Sequence, residues 1–178
     1  MPRILSLVLL LSLAACSSAP PPRTSAPPAV AAPALATIGT ARQAIAALGA
    51  ASGTLVSGKL TLLAVTGGVR ITGDIGGLAR NGAHRLQLHE RGDCSAVDAH
   101  SAGKVFDPTG RPGPPLDGGR DRIVADADGV AHVDLQLPAA VLGGGAANDI
   151  AGRALIVLGA SSNATGARVA CGVIKVSG

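Results

Sequence analysis

The side chains of this 178-residue chain best suited to ligation, lipidation or cross-linking are three cysteines (Cys16, Cys94 and Cys171) and four histidines (His84, His89, His100 and His132). Cys16 follows Leu13-Ala14-Ala15 and precedes Ser17-Ser18, behind a charged Arg3 and a mostly apolar run from Ile4 to Leu13. This pattern predicts a lipoprotein signal: cleavage before Cys16, then lipid on its sulfur and on the amino group cleavage creates. The alternative is an ordinary secretory signal with an incidental cysteine. The apolar run is too short for a permanent membrane-spanning helix. In an exported chain the two remaining cysteines, Cys94 and Cys171, most simply pair with each other, the alternative being two buried thiols.

The elements that position these residues read as strands. Short β-type runs punctuated by glycine cover 59–65, 69–75, 84–90, 123–125, 130–137, 153–158 and 168–176. In 84–90, Leu86 and Leu88 share one face while Gln87 and His89 share the other. His84 and His89 are five positions apart and so face opposite sides of that strand. Val133, Leu135 and Leu137 alternate with His132, Asp134 and Gln136, which puts His132 on a polar, exposed face. No stretch of this body sustains a helical period. Regular short strands with Gly/Asp turns predict an antiparallel sandwich or barrel. Residues 101–120 form a long loop rich in glycine and proline, of the kind that usually carries function or its remnants.

Composition narrows the partners. Phe106 is the sole aromatic residue, with no Trp or Tyr, so the core is Val, Leu, Ile and Ala. A stacking platform for nucleic acid has no side chains to build it. The net charge of +4 is spread along the chain without a Lys/Arg run, a weak signal for any polyanion. Three segments are expected: a leader at 1–15, a Pro/Ala-rich semi-extended tether at 16–37, and the folded domain at 38–178. Within the domain, the alanine-rich stretch 38–52 fits either a short helix or a first edge strand.

Five blocks carry a resemblance to a known family. They are His89-Glu90-Arg91-Gly92-Asp93-Cys94; Ser101-Ala102-Gly103 with Phe106-Asp107-Pro108; Ile123-Val124-Ala125-Asp126 with Gly129-Val130; Ile150-Ala151-Gly152-Arg153-Ala154; and Arg168-Val169-Ala170-Cys171-Gly172-Val173. In order over roughly residues 54–178, they resemble the bacterial copper/zinc superoxide dismutases. The resemblance implies an all-β, eight-stranded Greek-key β-barrel with one intradomain disulfide, Cys94 to Cys171. By similarity to bacterial lipoproteins, Ser17 after Cys16 implies an envelope protein lipid-anchored in the outer membrane and facing the periplasm.

The family's centre takes six histidines and one aspartate for copper and zinc, and this chain has four histidines. Carried over position by position, the resemblance leaves His89 as the one retained copper ligand. Gln87 stands at the first copper position, Val105 at the bridging histidine and Leu158 at the last copper position. Pro112 and Leu116 stand at zinc histidines, and Gly119 at the zinc aspartate, or Asp117 or Asp121 if the loop is gapped differently. Arg168 matches the active-site arginine and reads either as a vestigial anion-binding group or as a cap on backbone carbonyls. His84 matches a structural histidine. An approach of His100 to His89 would give a two-histidine copper or zinc site.

Copper in such a site wants imidazole nitrogen, and alkyl side chains offer no lone pair. The expected function is therefore a degenerate, non-catalytic member with no tightly bound metal. The alternatives are a dismutase with residual or rebuilt copper-dependent activity, or weak copper/zinc handling. Expected partners are membrane lipid through Cys16 and an unidentified protein or cell-wall component, with a homodimer also compatible and nucleic acid excluded. For a plain scaffold, His89→Ala is expected to leave stability nearly untouched.

Overall fold

The computed structural model describes residues 33–111, 121–160 and 167–177. Cys16, Pro112, Leu116, Asp117 and Gly119 lie outside the described residues, as do the leader and most of the tether. Eight strands follow in chain order: β1 Gln43–Ala50, β2 Ser57–Val65, β3 Gly68–Gly76, β4 Ala83–His89, β5 Arg122–Val124, β6 Ala131–Pro138, β7 Ala154–Leu158 and β8 Arg168–Val176. Among the described residues, one 3-10 turn, His100–Ala102, interrupts the loop after β4.

The pairings between the eight strands are all antiparallel, in the order β5-β4-β7-β8-β1-β2-β3-β6. Strands β1 to β3 form a meander, while β6 returns to β3 and β7 to β4, the Greek-key pattern. The sheet curls until β5 and β6 meet through the turn at Asp126–Val130, where the Asp126 and Val130 backbones hydrogen-bond at 2.8 Å. The barrel is nearly closed, and among the described residues no ladder seals β5 to β6.

The period-2 alternation places the core. His84, Leu86 and Leu88 of β4 point inward, while Arg85 and Gln87 do not. Val69, Ile71 and Ile75 of β3 and Val133 of β6 meet Leu60 and Leu62 of β2 inside. Without large aromatics the filling is aliphatic, and Phe106 packs only at its margin. A second, smaller cluster of Ala51, Ala99, Ala102, Ala154, Ile156 and Cys171 joins the loop after β4 to β7 and β8. The Cys94–Cys171 disulfide pins that loop to β8, with Cα atoms 5.7 Å apart.

The alanine-rich stretch resolves as a strand, not a helix, and β1 is not at an edge: it lies between β2 and β8. Ala44, Ala46 and Leu48 are its buried face, a period-2 pattern that alanine carries without announcing. One further difference concerns residues 34–36, which the sequence assigns to the tether. They hydrogen-bond to the loop between β6 and β7.

Candidate functional site

Of the positions picked out by the sequence, Gln87, His89, Val105, Leu158 and Arg168 lie where β4, β7 and β8 meet the loop after β4. Its register explains why. β4 pairs β7 with Arg85 opposite Leu158, Gln87 opposite Ile156 and His89 opposite Ala154. β7 pairs β8 with Leu158 opposite Arg168, just past an irregularity in the ladder. The chain then loops through the disulfide and returns so that Val105 bridges His89.

His89 closes β4 on the face opposite the core-facing His84, Leu86 and Leu88. It is nonetheless buried, at 2% exposure, because the loop 99–105 lies over it. Its Nδ1 is 3.0 Å from the carbonyl oxygen of Gly103, and its Nε2 is buried without a hydrogen-bond partner. Burial lowers its pKa below the ordinary imidazole value; the Gly103 carbonyl opposes that shift, and the Arg168 charge reinforces it. A neutral ring then donates Nδ1–H to Gly103 and leaves Nε2 a bare lone pair.

Arg168 reaches the same loop. Its guanidinium donates to the carbonyls of Ala99 at 2.6 Å and Gly103 at 2.8 Å. Two other arginines bind backbone in the same way. Arg91 donates to the Ser101 carbonyl at 2.8 Å. Arg153 donates to the carbonyls of Asp149 at 2.7 Å and Glu90 at 2.8 Å, and stacks on Phe106 with its guanidinium carbon 3.5 Å from the ring centre. Burial lowers the Arg153 pKa, against the attraction of Asp149 and Glu90. Carbonyl oxygens thus receive all three of these guanidinium groups.

The remaining predicted positions fall as follows. Gln87 donates its amide to Asp121 at 3.1 Å, and Arg85 binds the same Asp121 oxygen at 2.7 Å. Val105 presents an alkyl group beside His89. The carbonyl of Leu158 receives His84 Nδ1 at 3.1 Å, while its side chain packs on the disulfide-side cluster. His100 is exposed and turned to Asp98, 2.6 Å away. His132 is exposed between Asp74 at 2.7 Å and Asp126 at 3.8 Å. Among the described residues no three His, Cys, Asp or Glu side chains converge as a metal shell. At the positions the resemblance carries over, the described residues offer one imidazole nitrogen, an amide and two alkyl groups, a donor set that does not fit copper.

Two participants escape sequence reasoning. The Gly103 carbonyl, which holds both His89 and Arg168, is a main-chain group and leaves no residue-type signal. Asp121 was visible only as a candidate zinc position, yet it organises Arg85 and Gln87.

Comparison with known proteins agrees with the barrel and the order of its blocks. Residues 56–174 match the family model for copper/zinc superoxide dismutase. An extracellular copper/zinc superoxide dismutase of Brugia pahangi is 35% identical over 129 residues, covering 60% of this chain. The match spans 63% of that relative's length. With its eight-stranded barrel, its disulfide and a family match across most of its length, the chain belongs to the copper/zinc superoxide dismutase family.

Proposed function

We propose that this chain is a non-dismutating member of the family, lipid-anchored through Cys16 in a bacterial cell envelope, outer membrane facing the periplasm. One observation carries the first half of this reading. At the end of β4, His89, the one imidazole at a copper position, offers a single nitrogen, Nε2, and its neighbours at the family's other described copper positions are Gln87, Val105 and Leu158. A redox centre must hold copper in two oxidation states, and a single nitrogen does not define such a geometry. The arginine network offers a structural role for the retained Arg168: it ties the disulfide loop to β8 through carbonyls. The anchoring half rests on the leader pattern ending at Cys16. A protein of this kind presents a disulfide-stapled barrel to an envelope partner, protein or cell wall.

The test is a direct dismutation assay on protein loaded with copper and zinc and then dialysed. The reading expects superoxide to decay at its spontaneous rate. Decay accelerated in proportion to protein, and abolished by His89→Ala, would reject it. Incorporation of labelled palmitate, lost in Cys16→Ser, tests the anchor separately.

A further inference from the structure

We infer that residues 34–41 act as a strap that holds the loop between β6 and β7 and, through Arg153, the Phe106 face next to His89. The inference stands whether or not the barrel dismutates superoxide.

The strap is bound along its length. Asn148, 1% exposed, treats the backbone of Ala36 as a neighbouring strand would: its Oδ1 accepts from the Ala36 amide at 2.9 Å, and its Nδ2 donates to the Ala36 carbonyl at 2.7 Å. The same Nδ2 also donates to the Ala139 carbonyl, so the amide group joins strap and loop through one side chain. Further along, the Ala147 amide donates to Ala34 at 3.0 Å, the Thr40 amide to Gly143 at 3.2 Å and the Ala41 amide to Leu142 at 2.8 Å. Gly39 sits so close to the Leu142 backbone that any Cβ there would overlap it. These bonds read main chain, which is why a low-information sequence of Ala, Leu, Thr and Gly docks so closely.

The loop it holds leads to the site. Asp149 follows Asn148 and fixes the loop by accepting from the amides of Gly143, Gly145 and Ala151 at 2.8–2.9 Å. The Asp149 carbonyl receives Arg153, whose guanidinium covers Phe106. Phe106 is bonded to β4 through its amide and the Leu88 carbonyl at 2.8 Å, and its neighbour Val105 bridges His89. A contiguous chain of contacts therefore runs from strap to His89, at an end of the barrel where family members have metal ions and this chain has a poor donor set. Contiguity is the physical condition for coupling; the coupling itself is what the experiment measures.

The test uses the full chain with Gly39→Val, which wedges the strap away from Leu142, and reads two signals by NMR. Amide exchange at Ala36, Thr40, Ala41 and Ala147 should accelerate by at least about tenfold. The ring resonances of Phe106, the only aromatic residue outside the histidines, should shift, while barrel amides such as Ile71 and Leu155 stay protected. If Gly39→Val does not fold, Ala36→Pro removes the donor to Asn148 Oδ1, read at the amides of Thr40, Ala41 and Ala147 and at the Phe106 ring. Release of the strap amides with unchanged Phe106 resonances would overturn the inference, as would strap amides already unprotected in the wild type.

Discussion

His89 and Arg168 converge on a single acceptor: the Gly103 carbonyl oxygen lies 3.0 Å from His89 Nδ1 and 2.8 Å from an Arg168 terminal nitrogen. β4 supplies one donor and β8 the other, so this oxygen joins two strands to the loop over the second apolar cluster. Removing either donor tests what the junction contributes. His89→Ala deletes a buried ring and a hydrogen bond, and urea unfolding should show a loss of about 2–4 kcal/mol. The sequence alone suggested almost none, because it places His89 on the non-core face of β4; the loop 99–105 that covers this face is a tertiary event.

Arg168→Met keeps the stem and removes both carbonyl bonds. A loss of about 1–3 kcal/mol is expected, with faster amide exchange across 99–103. An unchanged midpoint and unchanged exchange would assign Arg168 no role in holding the loop.

The two histidines with shifted pKa values push stability in opposite directions with pH. His132, paired first with Asp74 and also attracted by Asp126, has a raised pKa. Its contribution is complete below the ordinary imidazole value and fades as pH rises through the folded-state value. His89 is lowered, chiefly by burial. Below the ordinary imidazole value the unfolded ring takes a proton that the folded ring refuses, so this contribution is complete above that value and drains away as pH falls. NMR titration should find His132 above 6.5 and His89 below it. His132→Gln should lower stability below the ordinary imidazole value and flatten the decline on the alkaline side, while the fall at lower pH due to His89 remains.

The disulfide spans 77 positions and anchors the loop that carries Ala99 and Gly103. Reduction should lower stability by about 4–5 kcal/mol in the chain-entropy picture and release the loop first. Thermal melts with and without reductant, read together with exchange at 99–103, measure both effects.

Gly92 lies against the Gly152 carbonyl, close enough that an added Cβ would overlap it. Gly92→Ala should cost about 1–3 kcal/mol by forcing the two loops apart. A melt within experimental error of wild type would show that the loops separate freely.

Much of the barrel was legible because strands that are buried on one face alternate, and β3, β4 and β6 do so plainly. β1 was not, since Ala44 and Ala46 are small enough for either helix or strand. The strap was illegible for a different reason: Asn148 and the 142–147 backbone recognise peptide groups, which every residue has. In the site, the face shared by Gln87 and His89 followed from period two, and the family blocks brought Val105 next to His89. The Gly103 junction needed coordinates, as did the Arg153–Phe106 stack.

A barrel end without redox-active copper leaves little metal behind. Elemental analysis of residues 33–178, offered copper and zinc and then dialysed, should find far less than one equivalent of either metal. Near-stoichiometric copper, lost on His89→Ala in a protein that still folds, would contradict this.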